Sequence, residues 1–572
     1  MTLFRVTGVA ISIGLTTSQA LAQVLVSPPD PTSEQRRQSD RDRATREKQE
    51  PRIDAPSEIV IPVSPLRLPA SEVPCFEIRR IDLIGDKAEH FQWILSRLNG
   101  DSHDDSAKGK CIGAHGINAL LKRTQDVLIA KGFVTSRILA EPQDLKAGNL
   151  VLTIIPGRVR AIRFANEKTR TPSVRNALPI TPEDVLNLRD IEQGLENFKR
   201  IPSAEVDIKI EPAEGSDAKP GYSDLVINYT QNTPFRFSLS ADDSGTKGSG
   251  KYQGGITISY DNWWAISDLL YISFNHDLGG GQEGPRGTKA NTLHYSIPFG
   301  YWTIGATASR SRYFQTIAGA TQEYIYSGTS ANTEIKLARL VYRDAQRKTT
   351  LSLRAFQRKS NNYIDDTEVQ VQERIVGGWE ASVNHREFVN NATIDASMAY
   401  KRGTGAFGSL PAPEEAFGEG TSRFALVIAD VNLAAPFTIG EKKLRYSNAW
   451  RIQANRTPLT PQDRFAIGSR YTVRGFDGEN SLSAERGWYM RNEIALPVGA
   501  SQQELYLGLD HGRVGGASSK SLLGKKLTGA VLGLRGALLR IQYELFIASP
   551  VHKPDGYKSD GTTAGFNLNY SY

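Results

Sequence analysis

From Pro234 to Tyr572, apolar and polar side chains alternate with a period of two. "FRFSLSAD" sets Phe235, Phe237, Leu239 and Ala241 against Arg236, Ser238, Ser240 and Asp242. "TIDASMAY" separates Ile394, Ala396, Met398 and Tyr400 from Asp395 and Ser397; "RIQYELFI" separates Ile541, Tyr543, Leu545 and Ile547 from Gln542 and Glu544. One apolar and one polar face, strand after strand, suits a barrel with lipid outside and water inside. A soluble β-sandwich also alternates, but its apolar face needs a second sheet to cover it, and 339 residues exceed the usual sandwich. At about 20 residues per strand and connection, the run predicts a transmembrane antiparallel β-barrel of roughly sixteen strands, wide enough for an aqueous channel. "TAGFNLNYSY" closes it, with Phe566, Leu568, Tyr570 and Tyr572 on one face.

Upstream the pattern is mixed. "CFEIRRIDLIG" alternates as a strand, and helical periods follow in "KAEHFQWILSRL" and "GINALLKRTQDVLIAKG", the second with Ile117, Leu120, Leu121, Val127 and Leu128 on one face. Gly132 ends that helix. "TSRILAEPQ" and "NLVLTIIPGRVRAIRF" supply strands. The order then repeats: strand "RVRAIRFA", a helix expected to start at Thr181 as N-cap with Pro182 and Asp184 behind it, a stripe of Leu188, Ile191, Leu195 and Phe198, and strands "AEVDIKIEPA" and "SDLVINYT". These are two consecutive α/β modules, over 75–160 and 161–232, ahead of a barrel over 233–572.

The first 74 residues have three textures. Arg5, an apolar run from Val6 to Leu15 and Ala20-Leu21-Ala22 have the layout of a secretory signal peptide over 1–22. In the region 23–50, "TSEQRRQSDRDRATREKQE" offers good helix formers and charge of both signs but no large apolar side chain, so a helix there has no face for an apolar core. It is either solvated and frayed or a polar plug in a wet place. Residues 51–74 are proline-rich and read as an extended linker.

Composition narrows the classes. Every apolar stretch after the signal is interrupted by charge before the ~18 residues of a membrane-spanning helix. The formal charge of +7 is spread over interleaved acids and bases, which does not suggest a nucleic-acid partner. The 2 cysteines, Cys75 and Cys111, lie in a chain that leaves the cytoplasm, where disulfides persist. Joined, they close a loop worth roughly 4 kcal/mol in the chain-entropy model. A metal site with His90, His103 or His115 is the competing reading, although the spacing fits no compact zinc pattern.

"RYTVRGFDGEN", Arg470 to Asn480, lies in a long connection between strand patterns. Downstream, "YLGLDHGRV" puts Asp510 on the same strand face as Tyr506, Gly508 and Gly512, and these small neighbours leave room for something to approach the wall. An inward-folded loop would let Arg474 meet Asp510 as a bidentate pair, with Gly475 allowing close approach and Phe476 packing beside it. In a wet lumen such a pair is worth about 1 kcal/mol at most, and more where water is excluded. An unpaired Arg474 on a solvated turn is the alternative.

"VRGF" (Val473, Arg474, Gly475, Phe476) and the aromatic-x-G-x-D-x-G pattern of Tyr506, Gly508, Asp510 and Gly512 resemble the Omp85 superfamily. Helix, Pro-rich linker, two modules similar to POTRA domains and a barrel resemble the outer-membrane transporters of two-partner secretion, the TpsB family. "LVLTIIPGRVRAI" and the cysteine pair are similar to its haemolysin and contact-dependent-inhibition secretion subgroup; Phe476 stands where this branch often has Tyr. The resemblance implies the outer membrane of a Gram-negative bacterium, POTRA modules in the periplasm, and Val473–Phe476 as a loop latch on Asp510. It also implies a TpsA-type exoprotein partner (haemolysin, adhesin or contact-dependent toxin), translocated unfolded without nucleotide hydrolysis. Lipid and the barrel-assembly machinery are further implied partners, the latter reading Phe566, Leu568, Tyr570 and Tyr572. No cofactor or metal is expected, and no phosphate-binding G-x-x-x-x-G-K-[ST] motif occurs in the mature chain. An Omp85-type assembly factor is the main alternative; a passive porin needs no arm. An enzyme needs a catalytic constellation, and Ser549 and His552 are neighbours only in a segment read as a loop.

Overall fold

The computed structural model describes residues 31–50, 53–54, 67–99, 105–166, 171–215, 219–319, 321–499 and 502–572. The signal peptide expected over 1–22, residues 23–30 of the region expected to hold the helix, His103 and residues 55–66 of the expected linker lie outside the described residues. Helix α1 spans Pro31–Gln49.

The first module pairs strand β1 (Phe76–Glu77) with β3 (Cys111–Ile112), and sets β5 (Asn149–Ile155) between parallel β2 (Arg80–Gly85) and antiparallel β4 (Arg137–Leu139). The strand expected over Cys75–Gly85 is therefore broken, because its first residues turn aside to pair at Cys111, to which Cys75 is disulfide-bonded with 5.2 Å between Cα atoms. That bond removes both thiols as metal ligands. Leu83, Leu150, Leu152 and Ile154 face Phe91, Ile94, Leu98, Leu120 and Leu128, which come from α2 (Ala88–Phe91), a 3-10 continuation (Gln92–Asn99) and α3 (Ala114–Ala130). Gly132, at φ +95°, ends α3 with its N–H on the Ile129 carbonyl.

Two acidic groups seat the chain around this module. Gly113 at the α3 N-cap has no side chain to offer, and the Glu72 carboxylate instead accepts from the N–H groups of Gly113 (2.6 Å), His115 (2.9 Å) and Gly116 (3.0 Å). Burial works to raise the Asp105 carboxyl, but hydrogen bonds from Lys110, the Leu68 amide and Arg123 outweigh it and hold the group well below the usual carboxylate range. Leu68 is buried in the module core, so the last linker residues pack on the module.

The second module repeats the plan with β6 (Arg158–Phe164), α4 (Val174–Ala177), α5 (Leu188–Lys199), β7 (Ala204–Pro212) and β8 (Tyr222–Gln231), in the sheet order β6-β8-β7. Val159, Ile191, Phe198, Leu225 and Ile227 fill its core. The helix expected from Thr181 begins later. Thr181 and Asp184 form only an isolated turn, with the Thr181 amide on Asp184 at 2.8 Å, because Glu183 is left-handed at φ 73° and Val185 bridges to Arg158. Asn187 caps α5 instead, accepting from the Arg189 amide.

The barrel runs through β9 (Phe235–Asp242), β10 (Gln253–Asp261), β11 (Leu269–Asp277), β12 (Gly287–Phe299), β13 (Trp302–Ala318), β14 (Glu323–Arg343) and β15 (Arg347–Ile364). A short hairpin strand β16 (Thr367–Glu368) precedes β17 (Arg374–Val389), β18 (Ala392–Thr404), β19 (Ala425–Ile439) and β20 (Lys442–Asn455). The following connection carries a small ribbon of β21 (Phe465–Ile467) and β22 (Leu482–Ala484). The wall resumes with β23 (Arg486–Pro497), β24 (Glu504–Gly515), β25 (Lys526–Leu538), β26 (Ile541–His552) and β27 (Thr563–Ser571). Sixteen strands close antiparallel, β27 pairing β9 from Asn567↔Asp242 to Ser571↔Ser238. Ser549 and His552 belong to β26, not to a loop: β26 stays paired to β25 through His552↔Thr528. Leu239, Met398, Leu507, Leu545 and Ile547 are exposed on the outward face, where lipid covers them.

Candidate functional site: the occupied lumen

Because the modules enter at Phe235, the short turns at 300–301, 344–346, 390–391 and 440–441 lie on the module side, and the connection 456–485 lies at the opposite mouth. That connection folds back into the barrel. The Arg474 guanidinium donates from Nε to Asp510 Oδ2 at 2.7 Å and from Nη2 to Oδ1 at 2.9 Å, and the Arg474 amide adds a third bond at 3.0 Å. Asp510 is 0% and Arg474 6% exposed, so the pair belongs to the water-excluded case and not the wet one.

The wall is shaped for the loop. A Cβ at Gly508 would stand 2.6 Å from Arg474 Nη2, one at Gly512 2.8 Å from Val473, and one at Gly529 1.8 Å from the Arg474 carbonyl. Gly475 sits at φ +106°, where a Cβ would meet the Ser549 carbonyl at 2.6 Å. Val473 and Phe476 turn into an apolar cluster with Ile467, Leu482, Leu527 and Tyr557, the Phe476 ring meeting Tyr557 edge-on at 5.8 Å. Tyr506, buried on the same strand face as Asp510, donates its hydroxyl to Glu544 at 2.7 Å.

Sequence reading missed three partners. Glu493 takes Arg474 Nη1 at 2.9 Å and Arg535 at 2.5 Å, extending the pair into a chain of charges. The signal was present: both are charged residues at inward positions in the middle of strands. Asp243 accepts from Arg470 at 2.9 Å and from the Phe566 amide at 2.9 Å, so the first arginine of the same stretch holds the outer end of the β27–β9 seam. Pattern alone gives no sign of this, since the three residues are remote in sequence. Along β27, Leu568 pairs with Ala241 and Tyr570 with Leu239; the Tyr572 backbone exchanges hydrogen bonds with Phe237, and Arg540 stacks over the Tyr572 ring at 4.7 Å.

Helix α1 occupies the lumen beside this loop. Its 19 residues span about 28 Å at 1.5 Å each, close to the ~30 Å of a hydrocarbon core. Arg36 and Arg37 reach Ser483 at 3.2 Å and the Gly478 carbonyl at 2.9 Å, and Glu34 accepts from Ser249 at 2.6 Å, all at the outer end. At the module end Gln49 binds Arg236 (3.2 Å) and Ser259 (2.8 Å), and Glu50 binds His294 and Ser296 of the wall and Arg200 of the second module. Thr32, Glu34, Gln38, Arg41 and Gln49 are buried, and all five are polar. The module is itself docked on the rim: Arg343 bonds Glu192 and Glu196 of α5, and Asn197 donates to the Gly300 carbonyl at 2.7 Å.

A family model described as "Haemolysin secretion/activation protein ShlB/FhaC/HecB" matches residues 221–536, and two POTRA models, one ShlB-type, match 76–157 and 158–212. The chain belongs to this haemolysin secretion/activation family. It is 36% identical over 551 residues to the outer membrane transporter CdiB-2 of Burkholderia pseudomallei strain 1026b, covering 94% of this chain and 92% of the relative. The hemolysin transporter protein ShlB of Serratia marcescens is 24% identical over 71% of both chains. Among solved structures, CdiB from Acinetobacter baumannii superposes with a TM-score of 0.84 at 31% identity, over 94% of this chain and 98% of that one. As a member of the family the protein is an outer-membrane transporter of two-partner secretion, with its POTRA modules in the periplasm.

Proposed function

We propose that this transporter exports a TpsA-type exoprotein, a haemolysin, an adhesin or a contact-dependent toxin, which crosses the barrel unfolded when α1 has left the lumen. The observation that carries the reading is α1 itself: a pore-length helix whose buried side chains, among the described residues, are all polar, with contacts replaceable by water or by a passing chain. Periplasmic capture uses sheet edges of the POTRA modules, such as β7, which pairs on one side only, with β8; an extended segment of the exoprotein adds there as a further strand. Folding of the passenger outside the cell prevents its return. Arg474 and Asp510 act as the latch that keeps the loop against the wall while the helix moves. Outer-membrane lipid covers the apolar outside, and Phe566, Leu568, Tyr570 and Tyr572 present the closing strand to the barrel-assembly machinery.

The test compares a strain lacking the protein with its parent, quantifying secreted proteins and resident barrels together. Loss of one large exoprotein with the barrels intact is expected and names the client. A general fall in barrels would instead mean an assembly factor.

A further inference from the structure

Beside α1 the lumen keeps a cavity of about 730 Å³. It lies between one face of the helix and the inner wall from β13 to β20, reaching from Gln462 at the outer end to Ala338 and Thr350 toward the periplasmic end. Nine Lys or Arg side chains and five Asp or Glu side chains line it. The excess is built in by sharing. Glu334 lies between Arg46 and Arg354, each at 2.8 Å, and Asp463 lies between Arg358 at 2.7 Å and Lys401 at 3.3 Å. Arg354 is also paired with Glu380, so the cations at Glu334 are balanced, whereas Asp463 neutralises one of its two cations and leaves the other uncompensated. Lys336, also on this wall, has no ion-pair partner among the described residues.

A wet passage with excess positive charge inside low-dielectric walls gathers anions and repels cations. We propose that the lumen, with α1 in place, conducts small inorganic anions in preference to cations along this cavity. The inference rests on the charge of the wall and holds whether or not the exported partner is of the proposed kind.

Full-length protein in a planar bilayer under a steep potassium chloride gradient provides the test. The zero-current potential is expected to take the sign of chloride permeation, several-fold over potassium. Lys336→Glu combined with Arg451→Glu should shift it toward potassium, with the heat-modifiable gel mobility of a folded barrel unchanged. A measurement that needs no variant is ion replacement: exchanging chloride for bulky gluconate should cut the current, whereas exchanging potassium for N-methylglucamine should spare most of it. Preference for potassium, the reverse ranking of replacements, or no current above bare lipid from folded protein would overturn the proposal.

Discussion

Loop 456–485 and helix α1 share one lumen and are both held by charge, yet they are held differently. The loop sets a guanidinium on a fully buried carboxylate, with Glu493 as its second partner, passes its backbone over glycines that no larger residue could replace, and backs the contact with an apolar cluster. The helix distributes its contacts along its length, has among the residues of described burial no buried apolar side chain, and leaves Gln35 Oε1, Arg41 Nη1 and Arg46 Nε buried without a hydrogen-bond partner among the described residues. In the loop only Gln462 Oε1 is left so, and none between Phe465 and Ala484, the stretch that carries Arg474. The lesson is about removability. A desolvated pair cannot be opened without exposing a bare charge, whereas a series of polar contacts can be exchanged one by one with water.

Breaking the Arg474–Asp510 pair should have the largest effect. Arg474→Ala takes the hydrogen-bonded partner from the fully buried Asp510 carboxylate, and Asp510→Ala leaves Arg474 with Glu493 alone; each is expected to cost about 3–5 kcal/mol, with similar losses of barrel thermal stability and secretion. The double variant should be little worse than either single one, and additive losses would mean the two groups act separately. Gly475→Ala comes next. The left-handed backbone and the Ser549 carbonyl predict a cost of about 1–3 kcal/mol, read as a lower unfolding temperature; an unchanged temperature would show the loop to be as adaptable as the helix.

Deleting Thr32–Glu50 should lower barrel stability less than either change while raising single-channel conductance. Unchanged conductance would remove α1 from the role of plug, and a fall in stability as large as that of Arg474→Ala would make it part of the wall. The smallest effect is expected for one helix contact: Arg37→Ala or Gln49→Ala should shift the occupancy of the lumen by α1 by about 1 kcal/mol or less, seen as a modest rise in channel openings. Higher salt should weaken the helix before the loop, because its partly exposed charges are screened and the sealed pair is not.

Much of the fold was legible because period and face are local properties. Alternation placed Leu239, Met398 and Leu545 toward lipid, and Leu120, Leu128, Ile191 and Phe198 in module cores. Local pattern misled at Thr181, where good capping chemistry lost to the bridge between Val185 and Arg158, and at Cys75–Gly85, where strand alternation lost to a disulfide-tied pairing. At the candidate site, "VRGF" and the spacing around Asp510 named both ends of one contact. Glu493, Arg535 and Asp243 escaped because their importance lies only in who stands across the lumen.

The sequence by itself determined an approximate strand number, the two faces of the alternating barrel strands, the modular arm and the impossibility of an apolar home for α1, since each follows from hydrophobicity at short range. Only the tertiary structure decided that α1 lies along the lumen, that Arg474 and Asp510 are dry, and that two cations share each of Glu334 and Asp463. Burial and charge pairing arise between residues hundreds of positions apart. They acquire values only once the barrel has closed and excluded, or admitted, the water between them.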